Sequence, residues 1–163
     1  MKTLNDLKLK GKRVLIRVDF NVPIKDNVVI DNFRIKAALP TILYCINNGA
    51  SVVIMSHMGR PRGSFDAECT LEPVFFELED LLGVEVFFSE DCISKHALAF
   101  SQELMPGEVH LLENLRFHSG EIENNEEFAG KLAGHSEIFI NDAFGMAHRS
   151  HASNIGILEH MEE

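Results

Sequence analysis

Cysteine is scarce and unpatterned in this sequence. Cys45, Cys69 and Cys92 are odd in number and show no C-x-x-C spacing, which argues against a disulfide framework and a zinc site and suits a reducing cytoplasm. Long apolar runs are missing too. The longest, Ala37 to Ile46, is too short to cross a bilayer and contains Pro40, so no membrane segment is expected. Met1 and Lys2 lead into polar Asn5 and Asp6, without the apolar core or small-residue cleavage site of a secretory signal, and a cytoplasmic location is expected. Proline and glycine are few, 5 and 11 in 163 residues, which excludes fibrous and low-complexity classes. Positive charge is in deficit: 15 Lys and Arg face 25 Asp and Glu, for a formal net charge of -10. Such a balance repels nucleic acid and anionic membranes at long range, so neither is expected as a partner.

What is present is enough apolar material, 45% of the residues, to build one core in a chain of single-domain size. Strand and helix patterns alternate along it. Val14 to Phe20 reads as a strand, then the spacing of Phe33, Ala37, Ala38, Ile42, Cys45 and Ile46 as a helix capped at Asp31 or Asn32 and stopped at Asn48-Gly49. Ser51 to Ser56 is a continuously apolar strand of the kind buried on both faces. Three more cycles follow. Their strands are Val84 to Phe88, Val109 to Leu112 and Glu137 to Asn141, and their helices run from a Thr70 cap to Gly83, over Ile93 to Leu104, and from an Asn125 cap to Gly134. Parallel neighbours need crossover helices, so this order predicts an α/β, Rossmann-like parallel sheet of about five or six strands with helices on both faces.

In such sheets ligands bind beyond the carboxyl ends of the strands, and the unusual residues gather there. The first strand exits into Asp19-Phe20-Asn21, with Arg34 in the first turn of the following helix. The second exits into His57-Met58-Gly59-Arg60, the fourth into Glu113-Asn114-Leu115-Arg116, and the fifth into Asn141 through Arg149 to His151. Guanidinium forks bind phosphate or carboxylate oxygens in pairs, so Arg34, Arg60, Arg116 and Arg149 point to a small polyanion. Read singly, each arginine also fits a solvated surface group, His57 a hydrogen-bonded structural histidine, and Asp19 and Asn21 turn formers. His148, His151 and Asp142 match no specific metal motif, and no metal is expected. No G-x-G-x-x-G follows the first strand, Gly130-Lys131-Leu132 lacks the other residues of a P-loop, and no nucleophile elbow occurs. No cofactor is therefore expected on this chain.

At these same loops the sequence resembles phosphoglycerate kinase. Arg17-Val18-Asp19-Phe20-Asn21-Val22-Pro23 is similar to that family's R-x-D-x-N-x-P, and Ser56-His57-Met58-Gly59-Arg60-Pro61 to its S-H-L-G-R-P, with Met58 for Leu. Leu111 to Phe117 and Asn141 to Gly145 through His148-Arg149 resemble two further motifs, with Met146 where Thr is common. The resemblance covers about Leu4 to Ser153. It implies the lobe that binds 3-phosphoglycerate or 1,3-bisphosphoglycerate, at residues 1–153, with 154–163 a tail or the start of an interdomain helix. Asp19 and Asn21 would hold the glycerate end, and His57, Arg60, Arg116 and Arg149 the 3-phosphate. Arg34 would face the phosphoryl group in transit, the catalytic role. Family members carry Mg-ATP or Mg-ADP on a second, nucleotide-binding lobe, absent here, so the fragment is expected to be a monomer that binds substrate and is inactive alone. A standalone anion-binding or interaction module of the same fold is the alternative.

Overall fold

A computed structural model describes residues 3–143 and 150–161. Five parallel strands form one sheet: β1 (Arg13–Arg17), β4 (Ser51–Met55), β5 (Val86–Ser89), β6 (Val109–Leu112) and β7 (Ile138–Asn141), in the spatial order β5-β6-β4-β1-β7. A small antiparallel hairpin, β2 (Ile24–Lys25) with β3 (Val28–Val29), stands apart from it. The crossover helices are α1 (Phe33–Asn47), α2 (Glu72–Leu82), α3 (Lys95–Gln102) and α5 (Glu126–Ala133), and a four-residue α4 (Ser119–Ile122) precedes α5. Among the described residues no helix is long and apolar enough to cross a membrane.

The strands read as continuous apolar runs because successive side chains feed two different cores. Val14 and Ile16 of β1, with Val52 and Ile54 of β4, join Ile35, Ala38 and Ile42 of α1 and Val74 and Leu78 of α2 on one face. Leu15, Val53 and Met55 point the other way, against Phe128, Ala129 and Leu132 of α5 and against Ile157. The α/β fold with helices on both faces is thus present, with five strands. Residues 154–160 also belong to this packing: Gly156–His160 form a 3-10 turn against α5, and Ile157 is fully buried.

Local chemistry ends the helices where the residue types suggest. Gly83 closes α2 in the left-handed conformation, at φ 67°, and Asn125 accepts from the Phe128 amide to cap α5. At α1 the two cap expectations divide. Asn32 is the N-cap residue by position, yet its side chain donates to Glu77 of α2, while Asp31 accepts from the Phe33 amide. Thr70 lies one position before the N-cap of α2 and accepts from the Glu72 amide.

Candidate functional site

Four strands that are neighbours in the sheet, β6, β4, β1 and β7, send their carboxyl-end loops to one edge. The loop after β1 turns through Asp19, whose Oδ1 accepts from the Asn21 amide at 3.1 Å. Asp19 is thus a turn former, and the same oxygen receives Arg34 Nη1 at 3.3 Å. Arg34 Nη1 also donates to the Asn21 carbonyl at 2.7 Å, so α1 grips the β1 loop by one guanidinium. Asn21 Oδ1 in turn accepts from the Gly59 amide at 3.0 Å, joining the β1 loop to the β4 loop. That bond orients the Asn21 carboxamide, leaving its NH2 group as the donor side.

Gly59 is a junction. Its carbonyl accepts from Arg116 Nη1 at 3.3 Å, which brings in the loop after β6. The backbone at Gly59 has φ 61°, and a Cβ there would lie 2.9 Å from Cys69 Sγ, so both conformation and space require glycine. Asn114 locks the two loops further. Its Oδ1 accepts from the amides of Met58 and Arg116, at 3.2 and 3.0 Å, and its Nδ2 donates to the carbonyls of Met58 and Cys69, at 2.7 and 2.9 Å. Arg116 is buried, and Arg60 is exposed at the position after Gly59.

His57 is buried, and Arg17 Nη2 lies 2.9 Å from its Nδ1. Arg17 itself is fully buried in β1 and also donates to the Val18 carbonyl and to Ser153 Oγ. Burial pulls its guanidinium down to about 10, with Glu121 and Asp19 opposing that shift and Arg116 adding to it. It remains a cation at neutral pH. Glu113 is held by the Thr70 hydroxyl and by the amides of Leu71 and Asn114. Burial raises its carboxyl nonetheless, against those three bonds. On the β7 side, burial raises the Asp142 carboxyl against a hydrogen bond from Thr41.

The structure therefore brings Asp19, Asn21, Arg34 and Arg116 into one hydrogen-bonded set through Gly59, with His57 adjoining through Arg17. Arg149 and His148 lie outside the described residues. Arg17, Asn114, Glu121 and Ser153 are the functional-edge residues that sequence reasoning did not assign. For Arg17 a signal existed, a cation inside an otherwise apolar strand; a buried Glu121 has none.

Two other features lie off this set. Among the described residues, Asp91, Cys92 and His118 could bring metal-ligand atoms within 4.8 Å of one another. They follow the edge strand β5 and the β6 loop, and His118 Nε2 is already 2.5 Å from Asp91 Oδ1. The Cys92 thiol is fully buried and raised well above its usual range, by burial and then by Asp91 and Glu121. A cavity of about 340 Å³ opens beside α4 and α5, lined by His118, Glu123, Phe128 and Lys131 among others.

Residues 4–163 match the family model described as phosphoglycerate kinase. Among curated relatives, the phosphoglycerate kinase of Moorella thermoacetica is 52% identical over 159 residues, covering 98% of this chain and 40% of that protein. That of Clostridium botulinum is 47% identical over 163 residues, covering 99% and 41%. Among solved structures, phosphoglycerate kinase from Pyrococcus horikoshii superposes with a TM-score of 0.86 at 40% identity, covering 96% of this chain and 40% of that one. The Coxiella burnetii structure gives 0.84 at 39% identity, covering 98% and 39%. The chain spans about 40% of the length of the relatives it matches.

Proposed function

The chain belongs to the phosphoglycerate kinase family, and from that premise we propose that it is the lobe that binds 3-phosphoglycerate or 1,3-bisphosphoglycerate. On this reading the whole enzyme transfers a phosphoryl group between 1,3-bisphosphoglycerate and ADP. Mg-ADP or Mg-ATP would sit on a second lobe, and this portion alone would bind substrate without turnover, since the reaction needs two lobes to close on both substrates. The observation that carries the reading is the Gly59 junction. One residue is held by Asn21 on its amide and by Arg116 on its carbonyl, so loops from three adjacent strands share one frame.

Roles follow from donor and acceptor chemistry. The Asn21 NH2 group suits the glycerate carboxylate, and Asp19, whose carboxylate offers several lone pairs beyond that used by Arg34, suits the glycerate hydroxyl. Arg60, Arg116 and Arg149 supply guanidinium forks to the 3-phosphate, with His57 beside them. Arg34, on α1, supplies cationic charge to the phosphoryl group in flight. Preorganised positive charge of this kind is most of what phosphoryl transfer asks of a protein.

Amide chemical-shift mapping with 3-phosphoglycerate tests the reading. Shifts should group at residues 19–21, 57–60 and 114–116, with a dissociation constant of roughly 10 µM to 1 mM. Shifts centred on the Lys131 cavity would overturn it. Adding a separately prepared nucleotide lobe should restore phosphoryl transfer, whereas binding without any recovered transfer would favour a standalone anion-binding module.

A further inference from the structure

A buried polar chain runs behind the β1 loop, and the direction of each of its hydrogen bonds can be worked out. Glu121, on α4 and fully buried, accepts from the Ser153 amide at 2.8 Å and from the Ser153 hydroxyl at 2.5 Å. A hydroxyl has one hydrogen. With that hydrogen on Glu121, Ser153 Oγ is an acceptor toward everything else, and Arg17 Nε donates to it at 3.0 Å. The guanidinium plane is fixed by this bond and by the Val18 carbonyl, which takes Nη1. Nη2 is then aimed at His57 Nδ1, 2.9 Å away.

Arginine has five donors and no acceptor. His57 Nδ1 must therefore be the acceptor in this pair, and a proton on Nδ1 would set two donors, one of them cationic, against each other. The ring proton belongs on Nε2. Glu121 also opposes, by its charge, the pull of burial on the Arg17 guanidinium, so the carboxylate supports the pair both through Ser153 and through its field.

We propose that Arg17 is a positioning residue: oriented by Glu121 and Ser153, it holds His57 as the tautomer protonated on Nε2, the form that offers an N–H to an anionic substrate. The donor half of this statement rests on the substrate reading above; the tautomer half does not. Recognition of a phosphate then draws on a neutral N–H donor whose polarity is set from the far side of the ring, three residues upstream of the guanidinium at Arg60 in the same loop. A histidine left to choose its tautomer would divide its population, and the competent fraction would scale the affinity.

Long-range proton–nitrogen correlation spectra of the whole chain read the tautomer directly. In the free wild-type protein at neutral pH, His57 should show Nε2 protonated and Nδ1 bare, and a mixed or reversed pattern overturns the proposal. On adding 3-phosphoglycerate, the Nε2 resonance should move while the tautomer stays fixed. If other loop resonances move and Nε2 does not, the donor role is refuted. If nothing moves, the substrate reading falls while the tautomer assignment stands. Arg17→Met should give a mixture of tautomers and about three- to tenfold weaker binding, and an unchanged tautomer in a folded variant would contradict the role of Arg17. Should that variant fail to fold, the wild-type spectrum alone decides.

Discussion

Acidification should destabilise this protein through two buried histidines outside the candidate site. His135 Nε2 lies 2.6 Å from the Cys92 carbonyl, which can only accept, so Nε2 carries the proton. His135 Nδ1 then accepts from the Ser101 hydroxyl at 2.7 Å, and Ser101 Oγ accepts from His110 Nδ1 at 2.8 Å. That leaves His110 Nε2 to accept from Ser89, 2.5 Å away. Every donor and acceptor in the chain is satisfied with both rings neutral. A proton added to His135 Nδ1 would face Ser101 with a second N–H and displace its hydroxyl hydrogen.

Both rings are fully buried. Burial, then repulsion from His135 and His96, brings His110 down to about 3. Burial and Arg13 bring His135 to about 4, against its bond to the Cys92 carbonyl and the field of Asp91. The unfolded chain binds protons with the ordinary histidine pKa, about 6.5. Below that value the unfolded state is the more protonated, so stability is full above it and is lost as pH falls toward the folded pKa values. Between pH 7.5 and 5.0 each histidine accounts for roughly 2 kcal/mol and the pair for roughly 4, a large part of the 5–15 kcal/mol typical of a domain. Urea unfolding followed by circular dichroism at both pH values measures the loss. His110→Gln and His135→Gln should each reduce it by roughly 2 kcal/mol, since a carboxamide does not titrate there. A loss equal to wild type in both variants would refute the reasoning.

Other consequences are open to direct measurement. Ser153→Ala removes the group between Glu121 and Arg17 and should cost about 1–3 kcal/mol of unfolding free energy, because two buried charged groups each lose a partner; denaturant unfolding would show it. Gly59→Ala should destabilise by about 1–3 kcal/mol, through the strained φ and the clash with Cys69, and should shift the amides of Asn21 and Arg116 together. Asn114→Ala breaks three bonds between the β4 and β6 loops and a fourth to the Arg116 amide within the β6 loop, and should weaken 3-phosphoglycerate binding, read by titration, although Asn114 is itself assigned no contact with the ligand. Arg34→Ala removes a half-exposed pair worth about 0–1 kcal/mol. It should change substrate affinity by no more than a few-fold, while lowering turnover of a two-lobed enzyme by orders of magnitude.

Strand positions were legible because parallel strands buried on both faces leave unbroken apolar runs. Val52 to Met55 alternates between two cores without a polar residue to interrupt it. The Gly and Asn residues that end or cap helices were legible for the same kind of local reason. The β2–β3 hairpin was not, because two-residue strands carry no alternation. Its turn uses Asp26 and Asn27 at φ 52° and 63° without the glycine that usually marks one. Asp19, Asn21, His57 and Arg116 stood out by type in the loops at strand ends, and Arg34 in the first turn of α1. Their supports did not. His110 and Glu121 look like ordinary polar residues until the packing around them is known, and Ser153 is one of many serines until Arg17 reaches it from 136 residues away.

Gly59 also makes the protein self-reporting. Its N–H bond depends on the loop after β1 and its C=O bond on the loop after β6. The two bonds sit on the consecutive peptide units that flank one residue, so hydrogen exchange at the Gly59 amide would gauge the β1 side of the rim and the Gly59 carbonyl-carbon shift its β6 side, before any ligand is added.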